Sequence, residues 1–486
     1  MKAKIGKKTF ALIAVLTAAA TTMTLTACGG NDTSKTPKTA SSVASAATND
    51  ETETSAETTA AKSKALAESD IPVKETIENS ADGEHAITAD GISKIISNTL
   101  VTKTGEADGD EADFYGENAA IFATNQATLT LKEMVVKTNG THANAVFSYG
   151  EGTTVNISDS YIETSGNCSG GLMTTGGGTM NAENLTITTS GNSSAAIRSD
   201  RGGGTVTVTG GSYTTSGKGS PVIYSTADIT VNDATLTSTA SQGVVVEGKN
   251  SVTLNNVDLT ADNNTKNSDK SSYYQAVMIY QSMSGDAAEG LSTFAMNGGT
   301  LTNQNGDVFF INNTSTEISL NNAAITNNGD GVFLRAAAAG WGSEGSNGGQ
   351  VTLNATAQTI NGDMVVDEVS HLNLYLKSSS AFTGAINSDG QAGEVYVEIA
   401  DGSTWTLTGD SYITGLTCGT SAINLNGHKL YINGEEYTAG TASTGTAIEV
   451  KSTGNGNGGA PDGMPGGNKP DGNKPEGNPP AKPGEN

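Results

Sequence analysis

Four aromatic side chains fall close together in a chain that has few of them: Tyr273, Tyr274, Tyr280 and Trp341, where aromatics are only 5% of 486 residues. Arg335 lies between the last two. Amphipathic rings stack on the apolar faces of sugars, and a guanidinium offers a planar fork of donors. These five residues are the ligand-binding candidates. A second group is acidic. Asp108-Gly109-Asp110-Glu111-Ala112-Asp113 places four carboxylates in six residues. Ca²⁺ is held by such oxygen-rich runs, which makes Asp108, Asp110 and Asp113 candidate ligands and calcium the one cofactor the sequence suggests. The run departs from the EF-hand pattern, because Ala112 interrupts it and no Glu closes the loop; the alternative is a solvated acidic loop. Other Asn/Asp clusters, such as Asp262-Asn263-Asn264 and Asn327-Asn328-Gly329-Asp330, are explained by turn chemistry alone.

No catalytic residue can be assigned. The chain has three arginines, Arg198, Arg201 and Arg335, and its histidines, His85, His142, His371 and His428, match no metal-ligand spacing. Arg198 and Arg201 flank Asp200, yet no Asp pair recurs at the same place in neighbouring units. Nucleophile-elbow, P-loop and dinucleotide fingerprints are missing.

What must position these residues is a repeat. Val136-Lys137-Thr138-Asn139-Gly140 returns as Ile162-Glu163-Thr164-Ser165-Gly166, Ile187-Thr188-Thr189-Ser190-Gly191 and Tyr213-Thr214-Thr215-Ser216-Gly217, with weaker copies from Leu236, Leu259, Leu301 and Ile325. Successive copies lie 26, 25, 26, 23, 23, 42 and 24 residues apart. A period in the twenties marks a stacked-repeat fold. Each unit carries three short apolar runs separated by Gly, Asn and Asp. Runs such as Gly204-Thr205-Val206-Thr207-Val208 alternate with period 2, as half-buried strands do. Three strands in ~25 residues describe one coil of a parallel β-helix; leucine-rich repeats lack a match to their pattern here, and a propeller blade needs ~40 residues or more. The expectation is an all-β, right-handed parallel β-helix of about 11–13 coils over residues 85–440. Ile162, Ile187, Leu236, Leu259 and Leu301 stack inside, and Thr188, Thr214, Thr237, Thr260, Thr302 and Thr326 form an outward ladder.

This repeat resembles the pectate-lyase-like β-helix superfamily. Together with the amino terminus below, it is similar to the carbohydrate-binding β-helical surface lipoproteins of clostridia and their relatives. Enzymes of that superfamily imply either a calcium carboxylate cluster with an Arg or Lys base, or paired Asp residues, on one face; neither is visible in the sequence.

The ends have their own chemistry. Lys2, Lys4, Lys7 and Lys8 precede an apolar run from Phe10, and Leu25-Thr26-Ala27-Cys28-Gly29 follows. Residues 1–27 read as a secretion signal. The Leu-Thr-Ala-Cys arrangement resembles a bacterial lipobox, which implies that Cys28 carries a lipid and is the membrane anchor, on the outer face of the cell membrane. Residues 28–84, rich in Ser, Thr, Ala and Glu, read as a disordered tether, and 441–486, rich in Gly, Pro and Asn, as a disordered tail. The formal charge of −25 opposes nucleic-acid binding. Cys168 and Cys418 are about ten coils apart, roughly 45–50 Å at ~4.8 Å per coil. Disulfide geometry limits Cα atoms to ~7 Å, so both are expected as buried free thiols that do not pair with each other.

Two insertions break the period. One unit adds Asn263 to Gln275 and Gln281 to Gly290; another adds Ala336 to Gly349. The Gln281 and Ala336 loops leave the same strand type about two coils apart, ~10 Å, and so rise from one edge, carrying the aromatic candidates. The functional expectation is a monomeric, non-catalytic, lipid-anchored surface protein that binds polysaccharide or another surface. The alternatives are a β-helix polysaccharide lyase or glycoside hydrolase, and a structural stalk.

Overall fold

The structure is a computed structural model and describes residues 65–450, apart from 267, 269, 391 and 392. Its body is a parallel β-helix. Three long sheets run its length: sheet A, ten strands from Glu75–Asn79 to Ala324–Asn327; sheet B, eleven from Ile87–Asp90 to Asp363–Val366; and sheet C, thirteen from Ser93–Ser97 to Gly415–Cys418. Every coil runs A, B, C, so each strand pairs in parallel with its counterpart one coil away. Beyond residue 357 a four-stranded sheet, Thr359–Asn361 to Ile423–Asn424, takes over after sheet A ends. An antiparallel pairing of Leu430–Ile432 with Glu435–Glu436 closes the carboxyl end.

The repeated motif is the strand of sheet A. Val136, Ile162, Ile187, Tyr213, Leu236, Leu259, Leu301 and Ile325 are in direct register, each on the next. All but Ile325 are buried. No single coil could shield them; stacking places each apolar side chain between two others, at ~1.5–3 kcal/mol per fully buried side chain. Thr188, Thr214, Thr237, Thr260, Thr302 and Thr326 point outward as a ladder, half-buried or exposed.

The glycine that ends the motif has a steric cause. A Cβ on Gly166 would lie 2.0 Å from the Gly140 carbonyl oxygen, one on Gly191 1.8 Å from that of Gly166, and one on Gly217 1.8 Å from that of Gly191. The chain turns here so tightly that backbone stacks directly on backbone. The turn from sheet C back to sheet A opens on a left-handed residue: Glu133, Asp159, Asn184, Asp233, Asn256 and Asn322 have φ between 48 and 53°, and two other coils use the left-handed pairs Gly210-Gly211 and Gly298-Gly299. Asn and Asp tolerate that conformation best among residues with a side chain. They also ladder, with Asn184 donating to Asp159 at 2.9 Å and Asn256 to Asp233 at 2.7 Å.

Three expectations need correction. Strand pairing begins at Glu75, not 85, because the short run Glu75–Asn79 lacks the apolar-Thr landmark yet pairs residue for residue with Thr99–Lys103. The carboxyl boundary lies beyond 440, since Cys418 and Ser443 pair antiparallel and Ile448 N–H donates to Asn373 Oδ1 at 2.9 Å. Cys418 is a buried free thiol, and Cys168 is buried as well. Cys168 sits in the A-to-B turn at φ 53°, not in the interior column where an inert thiol was expected. The signal sequence with Cys28, most of the tether and residues 451–486 lie outside the described residues.

Candidate functional site

Sheet B carries the residues with chemistry. Its strands alternate like any others, so one column faces away from the core: Phe122, Phe147, Met173, Arg198, Tyr224, Val245, Met278, Phe310 and Arg335, in register on successive coils. An outward column of this kind would be insoluble if bare. It is covered, and Phe147, Met173, Arg198, Val245, Met278 and Phe310 are each at most 6% exposed. Segment 105–118, which contains the helix Asp110–Phe114, lies over the amino-terminal part; Thr175 Oγ1 donates to Phe114 O at 2.7 Å and fastens it. The insertions at 281–290 and 336–349 lie over the carboxyl-terminal part.

Between two apolar stretches the covered column is ionic. Arg198 donates to Asp113 at 3.2 Å and to Asp200 at 2.7 Å, all three buried. Arg201 donates to Asp110 at 3.0 Å and Asp286 at 2.6 Å, with its guanidinium 3.6 Å from the Phe114 ring centre. Two coils further on, Glu247 accepts from the hydroxyls of Tyr224 and Tyr280, the latter at 3.1 Å. Burial opposes the charge on Arg198, but Asp113 and Asp200 outweigh it and keep the guanidinium protonated. Burial pushes Asp200 up to about 7, since Arg198 is shared with Asp113 and Asp286 adds a further negative charge. Burial also raises Glu247 and lowers His142.

The aromatic candidates converge here, but not as a sugar platform. The two insertions meet: Tyr280 and Trp341 pack edge to face at 5.1 Å, and Asn313 Nδ2 donates to Gln281 O at 2.9 Å. Trp341 is only 6% exposed and Tyr280 9%, and both belong to one cluster with Val245, Met278 and Phe310. The reading of Trp341 and Tyr280 as exposed stacking rings is therefore corrected: they fill the space between insertion and sheet. Tyr273 is half-buried, 5.1 Å from Phe310 and under Arg335 at 4.3 Å, while Arg335 forks onto buried Asp307 at 2.7 and 3.1 Å. Tyr274 is half-buried beside Lys266.

Of the calcium candidates, Asp113 pairs with Arg198 and Asp110 with Arg201, while Asp108 is exposed. Asp113, His142 and Cys168 bring ligand-type atoms within 4.8 Å of one another, the one such grouping among the described residues. Asp113 in that grouping is already paired with Arg198 at 3.2 Å.

Sheet C presents the opposite surface. Its central outward column reads Thr130, Asn156, Asn181, Thr207 and Thr230, in register and half-buried or exposed. A groove of about 480 Å³ runs over four of these coils, lined on its outward side by Thr130, Asn156, Ser158, Asn181, Glu183, Thr207 and Thr209. Glu183 is its only charged group. Asn181 donates to Asn156 at 2.9 Å, and a further ladder joins Asn232, Asn255, Asn297 and Asn321 at 2.6–2.8 Å. Each amide is thus pre-oriented by the next. No family model, curated protein or solved structure matches the chain.

Sequence reasoning missed two parts of this picture. Segment 105–118 precedes the first clear copy of the motif at Val136, so no period existed against which to see it as an insertion. The pairs Arg198–Asp113 and Arg201–Asp286 each span 85 residues, and no local spacing signals them. The groove did leave a signal, the Thr and Asn at outward positions of strands such as Thr128–Lys132 and Gly178–Glu183.

Proposed function

We propose that the chain is a non-catalytic, lipid-anchored protein of the bacterial cell surface that binds polysaccharide along sheet C. The observation that carries this reading is the sheet C groove: open, almost uncharged, with Leu131, Ile157 and Ala182 beneath hydroxyls and amides that recur at a coil spacing of ~4.8 Å. Sugar hydroxyls are both donors and acceptors, and Thr and Asn are both in return. The lipid anchor rests on the lipobox-like residues ending in Cys28, and the surface-lipoprotein and pectate-lyase-like resemblance on the repeat. The lyase or hydrolase reading finds no support in the ionic cluster of sheet B, where the carboxylates are largely buried and paired with arginines or tyrosines.

Affinity electrophoresis through gels containing polysaccharides tests the binding. At least one gel should retard the protein, and Asn181→Trp, which fills the groove from an exposed position, should restore free mobility with an unchanged circular dichroism spectrum. Equal retardation of the variant removes sheet C as the binding face. Cys28→Ala should release the protein from the membrane fraction; retention there contradicts the anchor.

A further inference from the structure

Two segments far apart in sequence, 105–118 and 281–290, lie on the same outward face of sheet B. Each is fastened there by the same short stretch of chain. Arg198 and Asp200 are the last outward residues of the strand Ile197–Ser199 and its turn, and Arg201 follows at once. Arg198 takes Asp113 from the helix of the first segment. Arg201 takes Asp110 from that same helix and Asp286 from the second segment. Two arginines three residues apart, with Asp200 between them, therefore hold both covers.

We propose that the two covers form a lid over sheet B, clasped at Arg198, Asp200 and Arg201, and that the clasp loosens as pH rises toward neutrality.

The geometry sets the direction. Asp113 and Asp200 share one guanidinium, Asp110 and Asp286 share the other, and Glu247 has hydroxyl partners, Tyr224, Tyr280 and Ser282 of the second cover, in place of a cation. His142, beside Asp113 at 3.6 Å, adds no charge near neutrality, because burial and Arg198 hold it in the neutral form. With more acids than bases in a water-poor site, one acid keeps its proton while the lid is closed. Asp200 is that acid, pushed up to about 7 by burial. Opening the lid hydrates it and returns it to about 3.9, the ordinary value for Asp. Between those two values opening releases a proton, so each rise of one pH unit favours opening by up to about tenfold; above 7 the dependence levels off. The buried Arg198 Nη1, which has no partner, and the exposed Met283 at φ 67° in the second cover are consistent with a closure that is not fully optimised.

Amide hydrogen exchange on the full chain at pH 5, 6, 7 and 8, corrected for the intrinsic rate, tests this. Protection of 105–118 should fall by up to about tenfold per unit from pH 5 to 7 and then flatten, while the strands of sheet C stay constant. Asp200→Asn, which keeps the shape but cannot titrate, should flatten the slope, leaving only the smaller part that the raised Glu247 carries. A flat wild-type profile, or an unchanged slope in Asp200→Asn, overturns the proposal. Should Asp200→Asn fail to fold, Asp286→Asn serves. It should lower protection of 281–290 at every pH and leave the slope at 105–118 in place. Loss of protection in sheet C together with the covers would instead mean global unfolding and would equally overturn the lid.

Discussion

Along sheet B the outward column reads Phe122, Phe147, Met173, Arg198 and is buried; along sheet C it reads Thr130, Asn156, Asn181, Thr207 and is open. Both columns rise on the same coils, with the same strand spacing and the same interior. The difference lies in the turns. The residues entering and leaving sheet B belong to connections that lengthen to hold 105–118, 281–290 and 336–349, whereas the C-to-A turn between the strands ending at Lys132 and Asn321 stays two residues long, with a left-handed residue first. A solenoid can thus bury one outer face by lengthening the loops that flank it and leave another clear by keeping its turn minimal. Large apolar and charged residues are then tolerated on the first face, while Thr and Asn line the second over these coils; only further along the same column do Tyr375 and Glu398 follow.

The comparison predicts very unequal costs of substitution. Arg198→Ala should be the most damaging, because it leaves Asp113 and Asp200 buried without a cation; breaking a buried pair in this way costs about 3–5 kcal/mol. Trp341→Ala, removing a buried ring from the same face, should cost a similar ~3–5 kcal/mol. Urea denaturation measures both. If Trp341→Ala unfolds at the wild-type midpoint, the ring is not part of the cover and the contrast between the faces weakens.

A smaller effect should be seen in pH dependence. Asp200 is raised in the folded chain to about 7, so its contribution to stability is complete below about 4, the unfolded value, and is lost as pH rises to 7. The melting temperature of the wild type should therefore decline from pH 5 to 7, with a slope of at most ~1.4 kcal/mol per unit from this one group. Asp200→Asn should be flatter over that window. A decline confined to pH above 8 would point to another group.

The repeat made the fold legible. Eight copies of one landmark, five of them closed by Gly, fix the strand of sheet A, and each part of it has a separate cause: Ile162 and Ile187 stack inside, Thr188 faces out, and Gly191 lies under a carbonyl at a distance no side chain could accept. The candidate site was much less legible, because it depends on which face an insertion folds over. Tyr273, Tyr280, Arg335 and Trp341 were correctly grouped by loop register, but register does not say whether a ring on a loop turns toward solvent or back onto the sheet. Here Met278 and Phe310 offer an apolar floor, and the rings turn back onto it. The run Asp108 to Asp113 suffered the same ambiguity. Read alone it is a cation site; read against Arg198 and Arg201, which come from coils some ninety residues later, it is the acidic half of an ion network.

Substitutions on sheet C should barely change stability, and that makes them the sharpest probes of the contrast. Asn181 is exposed, and its one side-chain donation goes to Asn156. Asn181→Ala should shift stability by no more than ~0.5 kcal/mol, the usual range for surface changes. Its effect on binding should be larger in proportion, because the ladder holds the Asn156 amide in one orientation, and a donor that must be ordered on binding loses affinity. Asn181→Ala should therefore weaken retardation by polysaccharide partially, Asn181→Trp completely, and Trp341→Ala not at all under conditions where it is still folded. If Trp341→Ala abolishes retardation while remaining folded and Asn181→Trp does not, the covered face is the binding face, and the open one is only the rod's polar exterior.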